Sequence, residues 1–455
     1  MILQSINPTN GELIKSYEEY SLEHIREIIE LSHNAYLNHS LSSYEERSTK
    51  LKNASLILRK EKEEFAKLMT LEMGKTISQA RSEVEKCAWV CDYYADNAKE
   101  FLKDEIVETD ASKSYVTYNP IGLVLAIMPW NFPFWQVFRF AAPNLMAGNG
   151  GILKHASNVS GCGLAIEKIF KESGFDENLF RTILISSNKM KTVVENYRIK
   201  AVTLTGSTPA GKSIASTAGN VLKKTVLELG GSDPYLILKD ADIDQSVKAC
   251  ATARLINAGQ SCIAGKRFIV VKEVAEEFTQ KFLGEMSAKK MGDPFDESND
   301  LGPQAKNDLR DELHQQVLRS VELGAKVLLG GNIPEGKGAY YPPTLLVNVK
   351  KGMPAFDEEL FGPVAPLIIA NDEEDAINIA NDTVFGLGAA LFSNDIEHAE
   401  MIAKNRIKAG SCFVNSFVKS DPRLPFGGIN DSGYGRELSP FGIKEFVNIK
   451  TVFIK

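Results

Sequence analysis

The stretch Ala201-Val-Thr-Leu-Thr-Gly-Ser-Thr-Pro-Ala-Gly-Lys-Ser213 reads as a short apolar strand over residues 201–204, a glycine turn, and a helix opened by Pro209. Proline suits a first helical turn because its φ is preset and its missing N–H would have no partner there. A strand that ends in a glycine turn against a helix N-terminus is a ready-made anion site, since free amides and the helix dipole both attract phosphate. The pattern recurs on either side. Apolar runs at residues 121–128, 151–153, 182–185 and 225–229 alternate with helical stretches, which implies parallel strands with crossover helices. A second α/β series follows, with strands near residues 268–271, 326–329 and 387–392, and the changeover falls between Gly231 and Asp244. Before this region the chain reads as helices, one opened by Ser21, one by a Ser43/Glu46 capping box, and one over residues 76–103. After it, the tail beyond Phe426 is rich in glycine and ends in an apolar strand at residues 447–454.

At 455 residues the chain is long enough for two to three domains, and 44% hydrophobic with 24% charged residues is ordinary for a globular protein. A net charge of −7 and no clustered basic segment argue against a nucleic-acid partner. No signal peptide is visible at the N-terminus and no apolar run reaches the roughly 20 residues needed to span a bilayer, so a cytoplasmic protein without a membrane partner is expected. The six cysteines, at 87, 91, 162, 250, 262 and 412, are scattered in the manner of reduced thiols. Cys87 and Cys91 lie four apart on a predicted helix without a second Cys or His pair nearby, so they read as core packing and no metal is expected.

One cysteine stands apart. Cys262, in Ala258-Gly-Gln-Ser-Cys-Ile-Ala-Gly-Lys266, is bracketed by Gly259, Gln260, Ser261 and Gly265, where backbone can approach a ligand and amides can face it. Glu228, in Leu227-Glu-Leu-Gly-Gly-Ser-Asp233, and Asn131, in Pro129-Trp-Asn-Phe-Pro133, add a base and an oxyanion donor to the thiol. These are the components of acyl chemistry. Gly206 to Ser213 also satisfies the Walker A pattern letter for letter, so a P-loop ATPase or kinase is the competing reading. Pro209 removes one amide donor from such a loop, and the P-loop reading leaves Cys262, Glu228 and Asn131 unexplained. A dinucleotide pyrophosphate is therefore the favoured ligand. A catalytically silent oligomeric binding protein is a third reading, opposed by the same three residues.

These residues resemble the aldehyde dehydrogenase superfamily over essentially the whole chain. Glu72-Met-Gly-Lys-Thr76, Met128-Pro-Trp-Asn-Phe-Pro133, Leu227-Glu-Leu-Gly-Gly231, Gly259-Gln-Ser-Cys262, Glu358-Glu-Leu-Phe-Gly-Pro363 and Leu424-Pro-Phe-Gly-Gly428 all fall in the family's order. The similarity is closest to the succinate-semialdehyde dehydrogenase branch. It implies an α/β fold with a Rossmann-type cofactor domain (residues 1–113 and 134–234), an α/β catalytic domain (235–427) and a small β oligomerisation element (114–133 and 428–455), assembled as a homodimer or homotetramer. It further implies Cys262 as nucleophile, Glu228 as the base for the deacylating water, and Asn131 with the Cys262 amide as oxyanion donors. Trp130, Lys154, Ser157, Gly206, Ser207, Leu229, Glu359 and Phe361 fall at positions that contact the cofactor in the family. The presence of Glu228 favours hydrolysis over transfer to coenzyme A.

Two departures stand out. Ser157 occupies a position where many NAD-preferring relatives carry a glutamate on the adenosine ribose, and a small hydroxyl beside Lys154 and His155 should accept NADP as well as NAD. Met146-Ala-Gly-Asn-Gly-Gly-Ile152 places glycines where relatives carry bulkier residues, with no functional reading. For the substrate, Trp135 and Arg139 share one helix face, and the resemblance sets that face on the aldehyde tunnel. Arg139 sits in the apolar run Val137-Phe-Arg-Phe140, so an unpaired guanidinium there would await a substrate carboxylate, with Ser261, Ser420 and Arg423 assisting. A carboxylate from the protein itself is the alternative partner.

Overall fold

The computed structural model describes residues 2–455. A hairpin of Ile2–Ile6 and Leu13–Glu18 leads into four helices, Leu22–His39, Tyr44–Lys60, Lys62–Met73 and Ile77–Phe101. The Ser21 hydroxyl accepts from the His24 amide, and Ser43 with Glu46 forms both bonds of the capping box, so each helix starts where its sequence signal lies. One predicted helix, over residues 76–103, runs Ile77–Phe101.

Six strands form the first sheet in the order Gly433–Tyr434, Lys224–Glu228, Ile199–Thr205, Leu123–Met128, Gly150–His155, Phe180–Thr182. The last five are parallel and the first, from the C-terminal tail, is antiparallel. From Leu123–Met128 the chain adds two strands on one side and then returns to add two on the other. Strand order reverses beside Leu123–Met128, and such a switch point opens a crevice at the strands' carboxyl ends. Trp130 and Asn131 follow one of these ends and Gly206 the other.

The second sheet has seven strands, in the order Lys326–Leu329, Thr344–Val347, Val364–Ala370, Gly265–Val271, Asp233–Ile237, Gly388–Phe392, Ser411–Val414, all parallel except the first. Only residues 229–232 separate Glu228, which ends a strand of the first sheet, from Asp233, which begins a strand of the second. A third sheet pairs Val447–Ile454 with Lys113–Pro120 in one eight-residue antiparallel register, flanked by Glu105–Ile106. The expected bridging range 114–133 is thus split. Its first part joins the tail, whereas Leu123–Met128 is fully apolar and lies in the middle of the first sheet, where both faces are covered. The second sheet takes over at Asp233, which pairs with Gly265.

The glycines of residues 146–152 have a packing reason. A Cβ on Gly151 would lie 2.6 Å from the Phe180 ring, and one on Gly150 would lie 2.7 Å from Leu123, so neighbouring side chains occupy the space a larger residue would need. Among the described residues no helix is long and apolar enough to cross a membrane.

Candidate active site

The loop that carries Cys262 is held in a conformation that its sequence does not prefer. Asn257, Ala258 and Gly259 all have positive φ, at 55°, 52° and 77°. Left-handed backbone costs a non-glycine residue on the order of 1 kcal/mol or more and persists only where the surroundings over-determine it. They do so here. Arg254 donates to the Gly259 carbonyl at 2.7 Å, the Gln260 side chain donates to the Asn257 carbonyl and accepts from the Ala305 amide, and Asn257 Nδ2 donates to the carbonyls of Asn131 and Gln260. Gly259 must be glycine for a second reason: its Cβ would lie 2.2 Å from the Gly362 carbonyl. The motifs around Cys262 and around Phe361 therefore meet backbone to backbone.

Two cavities, each of about 270 Å³, meet at Cys262. One is walled by Trp130, Asn131, Gly206, Ser207, Leu229, Glu359 and Phe361, and the other by Trp135, Arg139, Ser261, Ser420 and Phe426. Asn131 Nδ2 donates to the Gln260 carbonyl at 3.0 Å, while its Oδ1 accepts from Gln136 Nε2 at 3.0 Å. That second bond fixes which end of the Asn131 amide is the donor end and turns it toward the Cys262 loop. The helix carrying Gln136, Trp135–Met146, is anchored at its start by Glu83, whose Oε1 accepts from the amides of Phe134 and Trp135 at 2.9 Å each. Glu83 is itself paired with Lys75 of the Glu72-to-Thr76 motif.

Burial pushes the Cys262 thiol up to about 12, against the pull of Lys266 and Arg139. Lys266 Nζ reaches the Cys262 carbonyl at 2.7 Å and Glu359 at 2.8 Å, so it ties the nucleophile loop to the cofactor-side wall. Glu228 lines neither cavity directly. It is 2% exposed, both carboxyl oxygens lack a hydrogen-bond partner, and burial, followed by the repulsion of Glu437, holds its carboxyl well above the usual range. An orphaned buried carboxyl with a raised pKa is a poised acid–base group.

The P-loop reading fails on local packing. A Cβ on Gly211 would lie 2.5 Å from Leu229, so this glycine lets the helix Thr208–Asn220 close onto the end of the strand. Lys212 Nζ pairs with Asp431 at 3.0 Å on a side chain 65% exposed, and it lines neither cavity.

The chain that sets this thiol and amide where two cavities meet, with a buried carboxyl behind them, has relatives over its whole length. The model of the aldehyde dehydrogenase family matches residues 2–452. The chain belongs to the aldehyde dehydrogenase family. It is 49% identical over 454 residues to a probable succinate-semialdehyde dehydrogenase [NADP(+)] of Synechocystis sp., covering 100% of both chains. It is 46% identical to a succinate semialdehyde dehydrogenase [NAD(P)+] of Escherichia coli, covering 99% of this chain and 97% of that one. Among solved structures, the succinic semialdehyde dehydrogenase of Streptococcus pyogenes in complex with NADP+ superposes with a TM-score of 0.97 at 38% identity, covering 99% of each chain.

Within this dehydrogenase fold, two expected residues, Arg139 and Arg423, need correction. Arg139 is not an unpaired guanidinium: it is ion-paired with the buried Glu437, donates to Thr205 Oγ1 at 3.3 Å, and lies 4.4 Å from the Phe426 ring centroid. Arg423 is 66% exposed, paired with Asp421 at 2.6 Å, and lines neither cavity, because the loop turns it outward over Trp89. His155 is a structural group: its Nδ1 accepts from the Ala156 amide and its Nε2 lies 2.8 Å from the Pro133 carbonyl, while burial lowers its pKa to about 4. Lys154 and Ser157 sit at the carboxyl end of Gly150–His155, outside the cavity wall, with Lys154 Nζ 3.3 Å from Ser187 Oγ. Cys87 and Cys91 are fully buried in the core. Sequence reasoning missed Gln136, Glu437 and Lys266. The only signal for the first was its place five residues after Asn131, and Glu437 had none.

Proposed function

We propose that the protein oxidises succinate semialdehyde to succinate, with NADP+ or NAD+ as hydride acceptor. The observation that carries this reading is the meeting of two cavities on one thiol, with the oriented Asn131 amide beside it. The residues present fit a dinucleotide. The Ser207 side chain does not cap the helix Thr208–Asn220, so its first amides remain available to a pyrophosphate, together with Gly206. Trp130 meets Phe361 edge to face at 5.7 Å, and Leu229 and Glu359 complete that wall. Lys154, next to Ser157, has no ion pair among the described residues and offers its charge to a 2′-phosphate.

Bound dinucleotide supplies the acceptor for the hydride that leaves the aldehyde carbon. The protein's own residues do the rest. Cys262 gives up its thiol proton to solvent, the Sγ thiolate attacks that carbon, and Asn131 Nδ2 with the Cys262 amide stabilises the alkoxide oxygen. Loss of hydride leaves an acyl thioester on Cys262. Glu228, once deprotonated, takes a proton from water, the hydroxide adds to the thioester carbonyl, and collapse expels the thiolate with release of a carboxylic acid. Trp135, Ser261 and Ser420 shape the aldehyde side. Exposed Ile449, Phe453 and Ile454 on the terminal strand support a homo-oligomer built on that edge. Absorbance of reduced nicotinamide on mixing protein, succinate semialdehyde and either dinucleotide tests the reading. No reduction with either one refutes it.

A further inference from the structure

Lys266 is the second residue of Gly265–Val271, the central strand of the second sheet, and its side chain is 1% exposed. A buried ammonium needs acceptors for its N–H groups and a charge to offset its lost hydration. Glu359, 2.8 Å from Nζ, supplies the charge, and the Cys262 carbonyl accepts at 2.7 Å. The Phe361 ring centroid lies 5.7 Å from the same nitrogen. Lys266 lines neither cavity, so whatever it contributes to the reaction passes through these neighbours.

The pose of Glu359 follows from this pair. Its loop joins the short helix Pro354–Asp357 to the strand Val364–Ala370, which lies beside Gly265–Val271, so the lysine reaches across one strand spacing to hold it. Glu359 Oε1 accepts from both Lys266 Nζ and the Gly231 amide, the latter at 3.2 Å. Oε2 accepts no hydrogen bond among the described residues, although the side chain is 22% exposed and walls the cofactor cavity. Gly230 leaves room for this placement: a Cβ there would stand 2.4 Å from Oε2. One oxygen is therefore spent on the protein and the other is left for a ligand donor. A dinucleotide brings both hydroxyls and phosphates. A carboxylate attracts the first and repels the second, so the place where it is held decides whether it helps or hinders binding.

We propose that Lys266 is a positioning residue for the dinucleotide: it holds Glu359 with Oε2 presented to a hydroxyl of the cofactor and, through the Cys262 carbonyl, sets that contact at a fixed distance from the reacting thiol. The inference rests on the dehydrogenase reading above. No other ion pair holds Glu359 among the described residues, so removal of Lys266 frees the carboxylate to swing within the wall. The second arm of the lysine has its own signature. Burial raises the Cys262 thiol, and Lys266 is the first of the charges that oppose the rise.

The test is calorimetric titration of the protein with NADP+ and with NAD+, without aldehyde, in wild type, Lys266→Met, Glu359→Ala and the double variant. Lys266→Met should raise the dinucleotide Kd about tenfold, the weight of one charge-assisted hydrogen bond, and should add nothing in the Glu359→Ala background. If Lys266→Met does not fold, Lys266→Gln, which keeps N–H donors for the Cys262 carbonyl, carries the same comparison. Alkylation of Cys262 by iodoacetamide in the absence of dinucleotide, read on its peptide by mass spectrometry, reports the loop arm separately. Slowed alkylation with unchanged dinucleotide affinity, or an equal loss of affinity in the wild-type and Glu359→Ala backgrounds, overturns the inference and confines Lys266 to supporting the loop. Wild type that binds neither dinucleotide overturns the reading on which the inference stands.

Discussion

Gln136→Leu tests whether the oxyanion donor is a positioned amide or merely a nearby one. The substitution removes the bond from Gln136 Nε2 to Asn131 Oδ1 and leaves Asn131 oriented only by its 3.0 Å donation to the Gln260 carbonyl. A neutral hydrogen bond contributes about 1 kcal/mol net, or roughly fivefold in rate if all of it serves orientation. Asn131→Ala removes the donor itself, which costs about 10²- to 10³-fold by the measure of other oxyanion holes. If Gln136 acts through Asn131, its fivefold effect should disappear in the Asn131→Ala background, since no amide is left to orient. The assay is the single-turnover rate of nicotinamide reduction, which reads acylation and hydride transfer before any hydrolysis. The same fivefold loss in both backgrounds refutes the positioning argument and reduces Gln136 to packing.

Ser157→Glu should lower NADP use relative to NAD, because a carboxylate would repel the 2′-phosphate and pair with a ribose hydroxyl instead; steady-state kinetics with both dinucleotides decide, and wild type unable to use NADP refutes the assignment of Ser157. Lys212→Ala should change turnover by less than about twofold, as expected of an exposed surface pair with Asp431; a loss of orders of magnitude, or ATP hydrolysis by wild type, restores the phosphate-loop reading. The deacylation rate should rise with pH through the raised Glu228 pKa, since only the carboxylate accepts a proton from water, and Glu228→Gln should flatten that limb. The same raised pKa means that Glu228 stabilises the fold most below the ordinary carboxylate range and loses this contribution as pH rises through its folded value. The pH dependence of the urea midpoint, compared between wild type and Glu228→Gln, reads that loss.

Features governed by local chemistry were legible in the sequence. The capping signals at Ser21 and Ser43, the apolar run of Leu123–Met128 and the terminal strand Val447–Ile454 depend on neighbours in the chain, and each lies where its pattern placed it. The strands Thr344–Val347 and Val364–Ala370 were not expected, because short apolar runs buried in a parallel sheet lack the alternation that marks an exposed strand, and Ser411–Val414, a half-buried four-residue edge strand, is too short to show a period. Cys262, Asn131 and the glycine turn at Gly206 were visible because backbone demands accompany them. Arg139 shows the limit. Its apolar context was read correctly, but its partner Glu437 lies 298 residues away in sequence, and only the tail strand Gly433–Tyr434 beside Glu228 brings them together. The glycines at 150 and 151 had no reading from the sequence, and in the fold Leu123 and Phe180 fill the space beside them. Lys266 was overlooked for the same reason as Glu437: a lone lysine at the start of a strand carries no mark of the distant Glu359 that it will hold.

Trapping of the acyl enzyme tests the central claim most directly. Glu228→Gln mixed with succinate semialdehyde and NADP+ should release one equivalent of reduced cofactor per active site and then turn over slowly. Mass spectrometry of the quenched protein should find one succinyl group, on the peptide that contains Cys262. Steady turnover at the wild-type rate, or a burst without an acyl group on Cys262, contradicts the account.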